Sequence, residues 1–353
     1  MTKTRAAPHD RRRRGGRALA AARHALLAFL SLLVALPLLA APRATAAPSA
    51  TGAVPDRAAP VQEVTGFGTN PGQLRMFRYV PDGLPAGRPV VVALHGCTQN
   101  AAGYGTGSGW TELADRWGFS LVLPQQQTAN NLSSCFNWFQ AADTARGRGE
   151  AASVAQMVDR HVLDTAGDSR RVYVTGLSAG GGMTSVMMAA YPERFAAGGV
   201  VAGLPYGCAE AALSPWVCMS VGGGLGPRQW GERVRAARPG YGGPWPRLTV
   251  LHGTADLKVG VVNMTDLMEQ WTDVHGADQT PDATDTVAGY PHAVYRSPRG
   301  EPVVETYSVT GMGHGQPVAP GSGGERCGAP GAHLLDVGLC AAYRLGRSWG
   351  LGT

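Results

Sequence analysis

The sequence predicts an α/β protein with a mainly parallel sheet and helices on both of its faces. Short, wholly apolar runs alternate along the chain with longer segments whose apolar residues recur at a helical period. Apolar runs without alternation are typical of parallel strands, because helices cover both faces of such a sheet. A glycine-rich turn that joins one of these runs to the next helical segment is the third observation. Repeated β-α-β units of this kind build a layered fold.

The predicted elements can be placed in order along the chain. The predicted strands are an alternating segment over 74–80, the apolar runs 89–94, 119–123, 171–174, 197–201 and 248–251, and a last strand over 303–309. The predicted helices cover 110–117, 150–163, 183–190 and a segment with Met264, Leu267, Met268, Trp271 and Val274 on one face. Residues 205–245 lack this rhythm and are rich in Gly and Pro. We expect them to form an excursion over the top of the sheet.

Residues 1–46 carry the pattern of a cleaved export signal. Four arginines at 11–14 precede an apolar stretch over 25–41, and a small-x-small sequence follows at 44–46. A membrane anchor is the alternative, but the apolar stretch is shorter than the roughly 20 residues of a spanning helix. We predict secretion to the cell exterior without stable membrane association, a disordered lead-in over 47–63 and a single α/β domain over 64–353. No linker suggests a further binding module.

The leader also dominates the charge of the chain. There are 31 basic and 25 acidic residues, but nine of the basic and one of the acidic ones lie in 1–46. The remainder has 22 basic and 24 acidic residues, a net charge of −2. Such a balance indicates no basic surface for nucleic acid or for an anionic membrane. We expect neither as a partner.

All six cysteines follow the leader. An even number of cysteines in an exported chain favours disulfides over free thiols and metal ligands, although six cysteines allow many connectivities. The pairing that needs the least chain reorganisation is Cys208–Cys218, Cys327–Cys340 and the remaining pair, Cys97–Cys135. No spacing is that of a zinc site. We therefore expect neither a metal nor another cofactor.

Residues 176–180 (Gly-Leu-Ser-Ala-Gly) carry the central motif. This G-x-S-x-G pattern follows a predicted strand and opens a helix, which is the setting of the nucleophile elbow in the α/β-hydrolase fold. Its glycines leave room for neighbouring backbone at a tight turn. A glycine-rich turn with an incidental serine is the alternative. The strand–turn–helix context favours the α/β-hydrolase fold, with Ser178 as nucleophile.

A serine hydroxyl needs a base to take its proton and a carboxylate to orient that base. In this fold the acid and then the histidine follow the serine along the chain. Asp256 comes shortly after the predicted strand 248–251, and His314 lies between glycines just past the last predicted strand. We therefore predict Ser178, Asp256 and His314 as a catalytic triad.

The other acidic residues and histidines have less suitable positions. Two aspartates within a helical pattern are expected to face solvent, namely Asp266 and Asp273. Three more fall in a polar loop: Asp278, Asp282 and Asp285. We expect His161 to be packed against its helix and His252 to support the loop that holds Asp256. The remaining histidines are His275 at a helix end and, in loops, His292 and His333.

Acyl transfer also needs N–H donors for the negatively charged oxygen of the tetrahedral intermediate. One donor in this fold belongs to the residue after the nucleophile, and the other to the loop after an earlier strand. We therefore predict an oxyanion hole formed by the backbone N–H groups of Ala179 and Cys97. A purely structural cystine is the alternative for Cys97, and the two roles are compatible.

Several segments in the right order resemble the secreted polyhydroxybutyrate depolymerase-type esterases, which are related to the acetylxylan and feruloyl esterases of carbohydrate esterase family 1. These segments are LHGCTQN (94–100), SSCFNWF (133–139), GLSAGGGMTSVM (176–187), HGTAD (252–256), QWTDVHG (270–276) and GMGHG (311–315). The resemblance covers nearly the whole chain after the leader. It implies the same triad and a serine esterase that works through an acyl-enzyme.

The resemblance implies three substrate classes, namely short-chain polyesters, acetylated xylan and feruloylated arabinoxylan. A polyester depolymerase-like esterase is our first expectation, and an esterase of plant cell-wall polysaccharide is the alternative. Trp138 is a candidate substrate contact and Phe139 a second one, although core packing explains both equally well. Two hypotheses from other classes are an acyltransferase, which product analysis with an acceptor alcohol separates from a hydrolase, and a non-catalytic binding protein, which a missing triad member would favour.

Overall fold

The structure is a computed structural model that describes residues 60–321 and 323–352. The predicted leader, 1–46, lies outside the described residues, as does most of the predicted lead-in. The lead-in prediction ended too late, because Gln62 and Glu63 already belong to a strand of the main sheet. Pairing with β2 places these two polar residues in the sheet, and the composition of the segment does not predict this pairing.

The strands alternate with helices through most of the described chain. The strands are β1 (Gln62–Val64), β2 (Arg75–Tyr79), β3 (Val90–Leu94), β4 (Ser120–Gln125), β5 (Val172–Leu177), β6 (Ala197–Val201), β7 (Arg247–Gly253), β8 (Ala283–Val287), β9 (Tyr290–Arg296), β10 (Pro302–Val309), β11 (Gln316–Val318) and β12 (Leu334–Asp336). The α-helices are α1 (Ala101–Gly107), α2 (Trp110–Trp117), α3 (Ala141–Thr144), α4 (Gly149–Thr165), α5 (Ala179–Ala190), α6 (Cys208–Ala211), α7 (Pro215–Val221), α8 (Pro227–Ala237), α9 (Val262–His275) and α10 (Ala341–Ser348).

Ten strands form one sheet in the order β1-β2-β4-β3-β5-β6-β7-β10-β9-β8. The strands from β4 to β10 in this order pair in parallel, and antiparallel strands extend the sheet at both edges. All residues of β3 are buried, as expected for a strand covered on both faces. The predicted mainly parallel sheet is confirmed.

Two apolar cores lie on opposite faces of the sheet, and β3 contributes to both. Val90 and Val92 belong to the core packed by α4, α5, α8 and α9, whereas Val91 and Ala93 belong to the core packed by α1, α2 and α10. Alternate residues of a strand point to opposite faces, so one short run supplies both cores. The prediction of helices on both faces is confirmed. In the described part of the chain no helix is long and apolar enough to cross a membrane.

Three regions differ from the sequence prediction. The polar segment predicted as a loop forms the hairpin β8–β9, whose exposed edge strand offers no apolar signal. The excursion over 205–245 contains the helices α6, α7 and α8. Helix α8 packs against α9 and α5, and α6 packs against α7. The small parallel pair β11–β12 follows β10, which is therefore not the last strand.

All six cysteines form disulfides in the predicted pairing: Cys97–Cys135, Cys208–Cys218 and Cys327–Cys340. The first joins the loop after β3 to the loop after β4, and so crosslinks two loops at the carboxyl edge of the parallel strands. The second ties α6 to α7 at the same edge. The third belongs to the core on the α10 face of the sheet.

Candidate active site

Ser178 lies at the turn between β5 and α5, at the carboxyl edge of the parallel strands. Its backbone has φ 57° and ψ −118°, a conformation that is costly for a residue with a side chain. The backbone holds it there, because the Ser178 N–H donates to the Val201 carbonyl at 2.9 Å and its carbonyl accepts from the Gly182 N–H at 2.9 Å. The turn thus presents the hydroxyl at the end of the sheet.

Two glycines make this turn sterically possible. A Cβ atom on Gly176 would lie 2.3 Å from the backbone of Gly180. A Cβ atom on Gly180 would lie 2.2 Å from the carbonyl oxygen of Leu94 on β3. Both obstacles are backbone atoms and cannot rotate away, so only glycine allows β5, the turn and α5 to approach this closely.

The structure brings Ser178, His314 and Asp256 into one chain of hydrogen bonds. His314 Nε2 lies 2.9 Å from Ser178 Oγ, and His314 Nδ1 lies 2.7 Å from Asp256 Oδ2. All three side chains are largely buried. Asp256 follows β7 and His314 follows β10, two adjacent parallel strands, so their carboxyl ends place both loops beside the turn at Ser178.

The ionisation of Asp256 defines the direction of these hydrogen bonds. Burial raises the pKa of Asp256, but hydrogen bonds from His252, His314 and the Val259 N–H outweigh it and hold the pKa well below its ordinary value. An ionised carboxylate only accepts, so Nδ1 of His314 donates to it. In the neutral imidazole, Nε2 can then accept from the Ser178 hydroxyl. This tautomer is the one that a general base requires.

The loop after β7 holds Asp256 from two sides. Oδ1 accepts from the backbone N–H groups of Lys258 at 2.8 Å and Val259 at 2.9 Å. Nε2 of His252, which is fully buried, lies 2.9 Å from the Val259 carbonyl and 3.5 Å from Asp256 Oδ2. His252 therefore supports the loop of Asp256, as its position in the sequence predicted.

The loop after β3 brings Cys97 beside Ser178 and Ala179. The loop is fixed through its disulfide to Cys135 and through the Thr98 N–H, which donates to the Ser133 carbonyl at 2.7 Å. Ala179 is the first residue of α5, where backbone N–H groups lack partners within the helix. The two predicted oxyanion donors thus border the same cleft as the serine.

His95, at the start of this loop, is a residue whose role the sequence analysis missed. Burial lowers its pKa to about 4, against the hydrogen bond to the Gly96 carbonyl, which raises it. The neutral ring donates from Nδ1 to that carbonyl at 2.7 Å and accepts the Gln126 N–H at Nε2 at 3.1 Å. His95 therefore links the loop after β3 to the end of β4. Its place directly after a buried strand is the only signal in the sequence.

A cleft with two lobes surrounds Ser178. The lobe of about 320 Å³ is mainly apolar, with Trp138, Phe139, Leu204, Trp216 and Met219 in its walls. The lobe of about 250 Å³ contains His314 and adds the polar side chains Thr98, Gln99, Lys258 and His333. The cleft therefore offers an apolar and a polar side to a molecule that spans the serine.

Trp138 lines the apolar lobe and is also part of the core. It is 8% exposed, packs edge-on against Phe139 with ring centroids 5.5 Å apart, and lies where a Cβ on Gly182 would collide with it. The position of Trp138 is therefore compatible with both interpretations, a substrate contact and core packing. The walls contributed by Trp216 and Met219 were missed, because α7 lies in the segment without a recognisable period.

The remaining candidates lie apart from the hydrogen-bonded chain, except His333, whose ring centroid is 6.0 Å from that of His314. Asp266 was expected to face solvent but is buried and accepts the Gly223 N–H at 2.9 Å. His292 was expected in a loop but lies on β9, bonded to Asp285 at 2.7 Å. His161 is fully buried against Ser120, as predicted.

A larger depression of about 780 Å³ lies at the opposite edge of the sheet, near the start of β7 and β10. Its histidine, His275, has Nε2 3.0 Å from the Pro246 carbonyl and is not bonded to a serine. The cleft at Ser178, although smaller, brings together a serine hydroxyl, an imidazole and a carboxylate.

Comparisons with known proteins give the family of the chain. Residues 74–288 match the family described as "Esterase PHB depolymerase". The chain is 51% identical over 289 residues to "Poly(3-hydroxyalkanoate) depolymerase C" of Paucimonas lemoignei, a match that covers 82% of this chain and 70% of that protein. It is 37% identical over 268 residues to "Acetylxylan esterase" of Coprinopsis cinerea, covering 74% of this chain and 70% of that protein.

A solved structure, "Acetyl xylan esterase from Aspergillus awamori", superimposes with a TM-score of 0.65 at 29% identity, over 72% of this chain and 94% of that chain. The predicted α/β-hydrolase fold and the predicted family are thereby confirmed. The chain belongs to the esterase PHB depolymerase family and is a carboxylic ester hydrolase.

Proposed function

We propose that this enzyme hydrolyses short-chain polyesters by a two-step mechanism with Ser178 as nucleophile. The observation that carries the proposal is the hydrogen-bonded chain from Ser178 through His314 to Asp256. In the first step Ser178 Oγ attacks the ester carbonyl carbon while His314 Nε2 takes the hydroxyl proton. His314 then returns that proton to the departing alcohol oxygen, which leaves an acyl-enzyme.

Water completes the cycle by the same route in reverse. His314 takes a proton from the water as its oxygen attacks the acyl carbon, and the bond to Ser178 breaks with return of the proton to Oγ. The N–H groups of Cys97 and Ala179 stabilise the oxyanion in both steps. Losing one such donor typically lowers the rate by about 10²–10³. Asp256 keeps the imidazole oriented and balances its positive charge.

The substrate proposal rests on the lining of the cleft and on the relatives. The apolar lobe suits the methylene and methyl groups of a hydroxyalkanoate unit, with Trp138 in contact with the chain. The relative with 51% identity is a poly(3-hydroxyalkanoate) depolymerase. A second candidate is an acetylated polysaccharide, favoured by the acetylxylan esterase relative and by the polar lobe.

We also propose that the enzyme works outside the cell. The described residues hold three disulfides, which are typical of oxidising compartments. The export signal in 1–46 and the single domain over 64–353 remain predictions from the sequence. Detection of the processed chain in culture medium, with its new N-terminus after position 46, tests both export and cleavage.

The experiment compares the purified wild type with Ser178→Ala on polyhydroxybutyrate, acetylated xylan, feruloylated arabinoxylan and a short p-nitrophenyl ester. We expect wild-type activity on the p-nitrophenyl ester and on polyhydroxybutyrate, and loss of both in the variant. Ser220→Ala is the matched control, because it removes a hydroxyl from α7 outside the cleft. A preference for acetylated xylan would move the assignment to the second candidate, and activity retained by Ser178→Ala would refute the mechanism.

A further inference from the structure

Exposed hydrophobic side chains are concentrated at one edge of the sheet. In the described part of the chain, six large hydrophobic side chains are more than 60% exposed. Five of them lie at the carboxyl edge, where Ser178 lies, and we call these five the apolar rim: Leu132, Leu213, Trp216, Val221 and Leu257. The sixth, Leu163, lies near the end of α4, towards the opposite edge. Scattered exposure needs no explanation, but clustering around a site does.

The apolar rim is continuous with the cleft. Trp216 is itself part of the apolar lobe, and Leu132 lies between two residues that line it, Asn131 and Ser133. Leu257 directly follows Asp256 and is 98% exposed. Leu213 and Val221 lie at the two ends of the α7 region, so the rim borders the cleft on several sides.

The apolar rim is also held firmly in place. The Gly260 N–H donates to the Met219 carbonyl at 2.7 Å, and Asn263 Nδ2 donates to the Cys218 carbonyl at 3.0 Å. The disulfide Cys208–Cys218 fixes α7 from the other side. Leu213 has φ 56° although it is 91% exposed, a conformation that favours Gly or Asn. Neither core packing nor local backbone preference accounts for a leucine there.

Few charged residues surround the apolar rim. Residues 119–142 and 211–227 contain no Asp, Glu, Lys or Arg. Before α7, the exposed Glu210 pairs with Arg233 at 3.5 Å. Within the loop 254–262 the charged residues are Asp256, which is buried and hydrogen-bonded, and Lys258, which is exposed. A charged lipid surface or a charged protein partner would be met by complementary charges. The five side chains of the rim are themselves uncharged, and they fit an uncharged apolar surface.

We infer that the apolar rim docks the enzyme onto the surface of an uncharged, water-insoluble ester solid, so that chains at that surface enter the cleft. This inference rests on the proposed function, because it takes the substrate to be a polyester. It adds that the enzyme recognises the solid with the same edge that carries the cleft. Adsorption and soluble-ester hydrolysis are then separate properties.

The test measures adsorption to polyhydroxybutyrate films, in a Ser178→Ala background so that the film stays intact. The rim variant combines Leu132→Gln, Leu213→Gln and Leu257→Gln. The control is Leu163→Gln, which removes a leucine that is 79% exposed and lies away from the rim. We expect the rim variant to adsorb more weakly than the parent by about tenfold or more. The reason is that three leucine side chains are no longer transferred out of water when the enzyme docks. The control adsorbs like the parent.

The same substitutions with Ser178 restored give the second readout. We expect unchanged kcat/KM on a soluble p-nitrophenyl ester, which shows an intact fold and cleft, together with loss of film erosion. Equal adsorption of the rim variant and the parent would overturn the inference. So would binding of the parent to phosphatidylcholine vesicles as strongly as to the film, or a parent dimer that the rim substitutions dissociate without affecting adsorption. If the wild type adsorbs through the rim but releases no hydroxyacid, the proposed substrate is wrong and the docking surface stands.

Discussion

His252 lies directly behind Asp256, with its Nε2 3.5 Å from Oδ2 of the carboxylate and 2.9 Å from the Val259 carbonyl. The hydrogen bond from His252 lowers the pKa of Asp256, together with that from His314, against the effect of burial. His252 is thus a positioning residue that acts on His314 through Asp256. It lies four residues before Asp256, at the carboxyl end of β7.

Replacing His252 by Leu removes the N–H that donates to the Val259 carbonyl at 2.9 Å and whose nitrogen lies 3.5 Å from the Asp256 carboxylate. An ordinary hydrogen bond contributes about 0.5–1.5 kcal/mol. We therefore expect kcat to fall by up to about tenfold with little change in KM, since 1.36 kcal/mol corresponds to tenfold in rate. His252→Gln retains an N–H donor and is expected to recover part of the loss. Steady-state kinetics on a soluble p-nitrophenyl ester measures both, and equal losses in the two variants would contradict a positioning role.

Gly180→Ala is expected to destabilise the fold by about 3 kcal/mol or more, because the added Cβ would lie 2.2 Å from the Leu94 carbonyl oxygen. Gly242→Ala is the matched control, since a Cβ there meets open space and its φ is not in the left-handed region. The control is expected to keep or slightly increase the midpoint of urea unfolding. A normal midpoint for Gly180→Ala would disprove the steric account of the turn at Ser178.

The disulfides Cys97–Cys135 and Cys327–Cys340 are expected to differ in their effect on activity. They close segments of 38 and 13 residues, so replacing both cysteines by Ala costs about 4 and about 3 kcal/mol of stability in the chain-entropy account. The first substitution is expected also to lower kcat, because the loop of Cys97 supplies a proposed oxyanion donor. The second is expected to leave kcat unchanged. Urea unfolding measures the loss of stability. Steady-state kinetics, measured about 20 °C below the thermal midpoint of each variant, gives the effect on kcat separately.

Glu150 makes the stability depend on pH. Burial raises its pKa to about 8, against hydrogen bonds from the Asn137 N–H and from Gln126, which lower it. The folded state therefore binds a proton that the unfolded state has lost above its ordinary pKa near 4.5. The contribution of Glu150 to the free energy of unfolding is therefore fully present below pH 4.5 and is lost as the pH rises through about 8.

Unfolding midpoints in urea at pH 5, 7 and 9 test this expectation. We expect the wild type to lose stability over this range and Glu150→Gln, which cannot ionise, to lose less. At pH 5 we expect a lower urea midpoint for the variant than for the wild type. The two carboxyl oxygens of Glu150 accept from Gln126 Nε2 and from the Asn137 N–H, whereas an amide offers one oxygen, so its N–H₂ group would face one of these donors. Parallel curves for the two proteins would show that Glu150 does not titrate in this range.

The sequence by itself determined the fold class, the order of strands and helices along the chain near the turn, and the residues that the turn requires. A short run of apolar residues predicts a buried strand, because burial on both faces disfavours polar side chains, as in β3. The close approach at Gly180 also leaves a signal in the sequence, since it excludes every side chain. Asp256 and His314 were predicted from their positions after strands.

Only the tertiary structure decided how the loops meet. Strands β7 and β10 are 48 residues apart in sequence but adjacent in the sheet, and this pairing brings the loops of Asp256 and His314 together. No period or motif in the sequence predicts three other features, namely the burial of Asp266, the cleft walls on α7 and the apolar rim. Their environment is made by side chains from distant segments, and such contacts are properties of the packed chain and not of any stretch of sequence.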